Sequence, residues 1–261
     1  MIAEADKIME RSIEDEVFKP LTGDTFRFSC HKDISCFNEC CAKLRLILTP
    51  YDVLRLKNRL GLSSDEFLDR HTDTDMKSHG RFPMARLKMR DDEKRTCPFV
   101  RKEGCSVYED RPGACRLYPV GRASRMVTAD GEKKARDKFF LVEESHCFGF
   151  QEERLWTLEE WLRHEGVSEY NSINDKWLEI IGSKKSLGPE EAIQKKVRMF
   201  FMASYNLDKF RDFVFKSKFF DLFQVNQELK EKLKTDDLAL MGFALDWLKF
   251  SLFGEETMRL K

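Results

Sequence analysis

Four cysteines fall within twelve residues of this chain, in the run Cys30-His31-Lys32-Asp33-Ile34-Ser35-Cys36-Phe37-Asn38-Glu39-Cys40-Cys41. The pattern is C-x5-C-x3-C-C. Cys97, Cys105, Cys115 and Cys147 bring the total to eight, and the sequence beyond Cys147 contains none. Thiols at this density point to a metal, a set of disulfides or a redox reaction, and each choice imposes a different fold on the surrounding loops.

Compartment separates these choices. The opening MIAEADKIMERSIEDEVF is acidic and has no apolar stretch, so it does not read as a secretory signal. The late apolar segment LALMGFALDWLKFSLFG is interrupted by Asp246 and Lys249 and is too short to span a bilayer. A cytoplasmic location is expected, where thiols are kept reduced and clustered cysteines mark metal binding or catalysis more often than disulfides. Lys plus Arg equals Asp plus Glu at 46 each, which leaves no net charge to draw the chain to nucleic acid or to an anionic membrane. No nucleic-acid partner is therefore expected.

Local signals divide the 261 residues into two kinds of structure. Residues 1–20 read as a short amphipathic helix ended by Pro20. Phe26 and Phe28 alternate with polar neighbours as a brief strand. Thr49 caps a helix with Pro50 at its first position, Leu54, Leu56 and Leu60 on one side and Gly61 as its stop. A second helix starts at Ser63-Ser64, and 72–80 reads as a polar loop. RFPMARLKM, Cys105 to Tyr108 and Phe139 to Val142 read as strands, with a helical turn near Arg111-Pro112. After residue 155 the pattern becomes helical throughout. Starts are expected at Thr157, Ser168, Pro189, Asn206 and Thr235, and apolar residues recur at three- and four-residue spacing, as in Phe210, Phe213, Phe220 and Phe223. The expected fold is α+β: a cysteine-rich metal-binding domain of short strands and helices over 1–155, then an all-helical domain over 156–261. Ser183 to Ser186 is the best hinge candidate.

Thiolates at short spacing can converge on one ion because a small loop closes at little entropic cost. Cys36, Cys40 and Cys41 are near enough to share a site, with Cys30 reaching it across its five-residue loop. Adjacent side chains diverge, so one of Cys40 and Cys41 is expected to point elsewhere. Cys97, Cys105 and Cys115 form a second group, and Cys147 can complete either. Eight thiolates suit two four-ligand sites by count, whereas four suffice for one. Paired C-x2-C knuckles, the usual mark of structural zinc, are missing, so irregular all-cysteine ligation favours an iron–sulfur cluster over zinc. His31 and His146 each adjoin a cysteine and read as polar surface or supporting groups. Arg111 and Arg116 flank Cys115, either offsetting thiolate charge or pairing with Glu109 or Asp110. An activated lone thiol beside a base does not fit eight clustered cysteines.

CHKDISCFNECC followed by CPFVRKEGCSVYEDRPGACRLYP resembles the YkgJ-type cysteine-cluster family, whose CxxCxxCC domain is described as zinc- or iron-chelating. Cys105, Val107, Tyr108, Arg111, Pro112, Cys115 and Arg116 follow the family's C-x-I/V-Y-x-x-R-P-x-x-C-R stretch. The first run departs, with C-x5-C-x3-C-C in place of C-x2-C-x2-C-C. The likeness covers about residues 26–150, and the longer arrangement resembles a subgroup of bacterial members. It implies metal binding by cysteines, with Cys30, Cys36, Cys40, Cys41, Cys97, Cys105, Cys115 and Cys147 as candidate ligands. Some related cysteine-cluster proteins are flagellin lysine methylases. A protein-modifying enzyme with a pocket lined by Tyr108, Arg111 and Arg116, acting on a protein substrate, is therefore one alternative. A structural-metal interaction module that binds a protein partner is another.

Overall fold

The computed structural model describes residues 17–129 and 132–261. The helix expected over 1–20 lies outside the described residues up to residue 16, and its last residues, Phe18–Pro20, form strand β1 instead. In chain order there follow β2 (Thr25–Arg27), α1 (Pro50–Leu60), α2 (Ser64–His71), β3 (Thr72–Asp75), β4 (Met84–Leu87), β5 (Val100–Arg101) and β6 (Gly104–Cys105). Next come α3 (Gly113–Leu117), β7 (Val120–Ala129), β8 (Glu132–Val142), β9 (Leu155–Thr157), α4 (Leu158–His164) and α5 (Val167–Ile181). The chain ends with α6 (Glu190–Tyr205), α7 (Leu207–Lys216), α8 (Phe219–Leu222), α9 (Gln227–Thr235) and α10 (Asp237–Phe253). Short strands in small sheets give way to helices, which is the α+β class expected.

Packing divides the chain into two compact units, each made from two stretches. The described residues up to Leu44 join Met89–Asn171, and Arg45–Lys88 joins Ser172–Lys261. In the first unit β1, β8 and β7 form an antiparallel sheet in that order, and β2 pairs with β9, setting Phe26 opposite Trp156. Its core gathers Phe26, Phe28, Leu117, Val120, Trp156, Trp161 and Val167. Both indoles satisfy their N–H groups inside it: Trp156 donates to the Phe28 carbonyl and Trp161 to the Leu117 carbonyl, each at 2.9 Å. A buried N–H without such an acceptor would cost the core more than the ring contributes in specificity.

The second unit begins with α1, which forms for the reasons its sequence advertises. Thr49 Oγ1 accepts from the Asp52 N–H at 3.2 Å, and Asp52 Oδ2 accepts from the Thr49 N–H at 2.8 Å, a reciprocal cap. Gly61, at φ +65, ends the helix in the left-handed conformation that a Cβ disfavours. The stretch expected as a polar loop holds a strand: Thr72–Asp75 pairs with Met84–Leu87. Asp75 explains the difference, because its carboxylate accepts from the Lys77 and Ser78 N–H groups, both at 2.8 Å, and so closes the turn that returns the chain. Phe82 stacks on Phe200 with centroids 4.2 Å apart, and buried Tyr205 donates to the Leu48 carbonyl at 3.2 Å.

Candidate metal centre

The first cysteine run leaves β2 under main-chain restraint. The Phe28 N–H donates to Arg154 O at 2.9 Å and the Ser29 N–H to Gly149 O at 3.0 Å, so Cys30 starts beside the segment that carries Cys147. The run then folds through successive turns, with N–H groups of Ile34, Phe37, Glu39 and Cys41 donating to the carbonyls of His31, Ile34, Cys36 and Asn38. Asn38 adopts φ +69, a left-handed conformation that asparagine tolerates better than most side chains. Through these turns the spacing of five and then three residues brings sulfurs together without a C-x2-C knuckle.

Cys30, Cys36, Cys40 and Cys147 lie within one another's electrostatic reach. Burial, followed by the charges of Cys40, Cys147 and Cys36, pushes the Cys30 thiol up to about 11. Cys40 is pushed further up, first by its hydrogen bond to the Cys41 thiol and then by burial, the Cys41 charge and Glu144. The adjacent Cys40 and Cys41, both in the 3-10 turn Glu39–Cys41, are thus hydrogen-bonded to each other. Cys147 is raised by burial, against the opposing pull of the Tyr118 hydroxyl and the Gly149 N–H, with Cys36 and Cys40 adding to the rise. Cys147 accordingly joins the first cysteine run.

Two groups at this site carry no flag in the sequence. The Tyr118 hydroxyl is buried without an oxygen or nitrogen partner and lies against the Cys147 sulfur. The Phe148 N–H donates to Cys36 Sγ at 3.2 Å. Neither comes from a motif; both depend on residues distant in sequence.

Cys97 and Cys105 form a second group on the β5–β6 hairpin, where Val100 pairs with Cys105 and Arg101 with Gly104. Burial raises both thiols. Main-chain N–H groups oppose this, from Phe99 and Val100 at Cys97 and from Val107 at Cys105. Arg90 acts on Cys97, and Arg111 and Arg101 on Cys105, in the same direction. Cys115 is half-buried on α3.

The remaining candidates have structural tasks. His31 Nε2 lies 3.2 Å from Glu152 Oε2, and His146 Nε2 lies 3.6 Å from Glu144 Oε2. The partner of Arg111 is Glu165, buried with it, rather than Glu109 or Asp110, and the guanidinium also covers the Tyr108 ring at 3.7 Å. Arg116 donates to the Glu165 carbonyl at 2.7 Å and to the Glu109 carbonyl at 2.5 Å. Both guanidiniums that would have lined a substrate pocket are therefore engaged. A cleft of about 410 Å³ lies instead among Arg154, Leu155, Trp156, Glu160, Arg163 and His164, with no cysteine in its wall.

The donor set fits a thiophilic metal. It consists of sulfur, with N–H donors at Cys36, Cys97, Cys105 and Cys147 and the Tyr118 hydroxyl at Cys147 partly offsetting the rise that burial imposes on the thiols. Among the described residues no disulfide links the cysteines, and no three His, Cys, Asp or Glu side chains stand close enough to enclose a single ion.

These features define a small cysteine-rich α+β module. Residues 29–148 match the model of the CxxCxxCC family, described as a putative zinc- or iron-chelating domain. No curated protein and no solved structure matches the chain significantly. Among the described residues no helix is long and apolar enough to cross a membrane.

Proposed function

We propose that this protein is a cytoplasmic iron–sulfur protein whose cluster is held by Cys30, Cys36, Cys40 and Cys147. The observation that carries the reading is spacing. Four thiolates around one zinc, each about 2.3 Å from the ion, would stand within roughly 4 Å of one another. The four sulfurs here feel one another's charge, yet no three of the described donors meet at the spacing of a single ion. A polynuclear cluster, which also takes four cysteine ligands, suits sulfurs that influence one another without converging on one point better than zinc does. When bound, the cluster supplies one-electron chemistry or a clamp on the loops.

The chain's own groups are arranged to hold thiolate. The Phe148 and Gly149 N–H groups and the Tyr118 hydroxyl direct partial positive charge at Cys36 and Cys147. In the metal-free protein, burial at Cys30 and first the Cys41 hydrogen bond at Cys40 raise these thiols, so loading must release protons. Anaerobic purification followed by iron, zinc and acid-labile sulfide determination tests the reading. Iron with matching sulfide is expected, zinc alone would replace the cluster with a zinc site, and a folded protein holding neither metal would overturn metal binding altogether.

A further inference from the structure

We propose that the cleft between β9 and α4 binds a small carboxylate that also carries a hydroxyl or amino group. Arg154 holds the carboxylate, and His164 accepts the hydrogen bond from the hydroxyl or amine. The wall comes from residues 154–164 and contains no cysteine, so the site is independent of the metal centre.

The wall is set before a ligand arrives. Buried Trp156 donates through Nε1 to the Phe28 carbonyl at 2.9 Å, which ties the indole in place. Trp161 packs edge-on against it at 5.2 Å and is itself tied to the Leu117 carbonyl, so the strand and the helix hold their spacing. Between them Thr157 and Glu160 close a reciprocal cap: the Thr157 N–H donates to Glu160 Oε2 at 2.9 Å, and the Glu160 N–H to Thr157 Oγ1 at 3.1 Å. A volume of about 410 Å³ suits a small molecule.

Arg154 supplies the anion contact. Its guanidinium carbon lies 3.8 Å from the centre of the Trp156 ring, and among the described residues no carboxylate or carbonyl takes its N–H groups. Stacking at this distance leaves the edge of the guanidinium open, and that fork matches the two oxygens of a carboxylate. The other guanidinium in the wall is taken, because Arg163 pairs with Glu159 at 2.7 Å. Charge selects the anion. Arg154 and Arg163 against Glu160 leave the wall at most one positive charge, enough for a carboxylate and too little for a phosphate dianion.

His164 supplies the acceptor. Its Nδ1 lies 2.9 Å from Glu165 Oε1, while Glu165 Oε2 is paired with Arg111. A carboxylate has no hydrogen to give, so Nδ1 carries the hydrogen and Nε2 is the acceptor of the neutral ring. Trp156 packs against the imidazole at 4.8 Å between centroids and holds its direction. The buried Arg111–Glu165 pair thereby fixes the tautomer of a half-exposed histidine in the cleft wall. Glu160, the other acceptor in the wall, already spends Oε2 on the Thr157 cap.

The test is ligand-observed saturation-transfer NMR on the full chain as purified, with mandelate as the probe. Phenylacetate, which lacks the hydroxyl, 1-phenyl-1,2-ethanediol, which lacks the carboxylate, and inorganic phosphate are the comparisons. Wild type is expected to bind mandelate saturably and phenylacetate less tightly, with no saturable binding of the diol and no displacement by equimolar phosphate. Arg154→Gln should weaken mandelate binding about tenfold or more, as loss of a charge-assisted hydrogen bond does. His164→Phe keeps a ring against Trp156 and should abolish the preference for mandelate over phenylacetate. The proposal is overturned if wild type does not bind mandelate, if the diol binds equally well, or if equimolar phosphate displaces mandelate. An unchanged preference in His164→Phe overturns it too. Mandelate binding that survives intact in Arg154→Gln would place the probe elsewhere, the metal centre included, and also overturns it. If Arg154→Gln fails to fold, Arg154→Lys, which keeps the charge and loses the fork, is read in the same way.

Discussion

A Cβ at Gly149 would stand 2.6 Å from the Phe28 ring and 2.9 Å from the Ser29 carbonyl oxygen. The chain beside Cys147 therefore runs where only glycine fits, and the Gly149 N–H is one of the donors facing that sulfur. Gly149→Ala should force Phe28 or the backbone aside and cost about 1–3 kcal/mol, the usual range for overpacking. Denaturant unfolding of the metal-free protein would show it, and an unchanged midpoint would mean that the contact is soft. Glu165 gives a second residue-scale expectation. Its side chain is 5% exposed and its ion partner Arg111 10%, so Glu165→Ala leaves a nearly buried guanidinium uncompensated. A loss of about 3–5 kcal/mol is expected from the same measurement. Neither role shows in the sequence. Gly149 is one glycine among thirteen, and the partner of Arg111 lies too far along the chain for local reading to find.

At the scale of elements, local chemistry was legible wherever a cap or turn is written in adjacent residues. The reciprocal caps at Thr49, Ser63 and Thr157 mark three helix starts. What escaped is pairing. β7 forms ten register pairs with β8, and only Asp130-Gly131 separates the two strands. That dipeptide is a hairpin signal, but the mixed, charged strand sequences hid the alternation around it. β3 escaped for a related reason, since Thr72–Asp75 looks polar until Asp75 is seen to organise its turn. The Ser78 N–H above all, and then the Lys77 N–H and Arg45, hold the Asp75 carboxyl well below its usual range. A carboxyl depressed in the folded state stabilises above its unfolded pKa of about 3.8, and that contribution fades as pH falls below it. Asp75→Asn should therefore lower the melting temperature at pH 7, and the gap to wild type should narrow below about pH 4. A gap independent of pH would mean that the carboxylate charge plays no part.

Across the whole molecule, composition changes after residue 155, whereas packing joins Arg45–Lys88 to Ser172–Lys261. No reading of composition detects a chain that leaves one unit and returns to it. The cysteines were legible as a set, because eight thiols among few histidines leave little other chemistry. Their grouping was not. Cys147 could have joined either run, and the neighbours that support the sulfurs, Tyr118 and the Phe148 and Gly149 N–H groups, are brought there by the tertiary fold. Native mass spectrometry of the anaerobically purified chain tests most directly whether these sulfurs hold metal. The account predicts a folded charge-state distribution whose mass exceeds the sequence mass by an iron–sulfur cluster. A folded distribution at the bare sequence mass would contradict it.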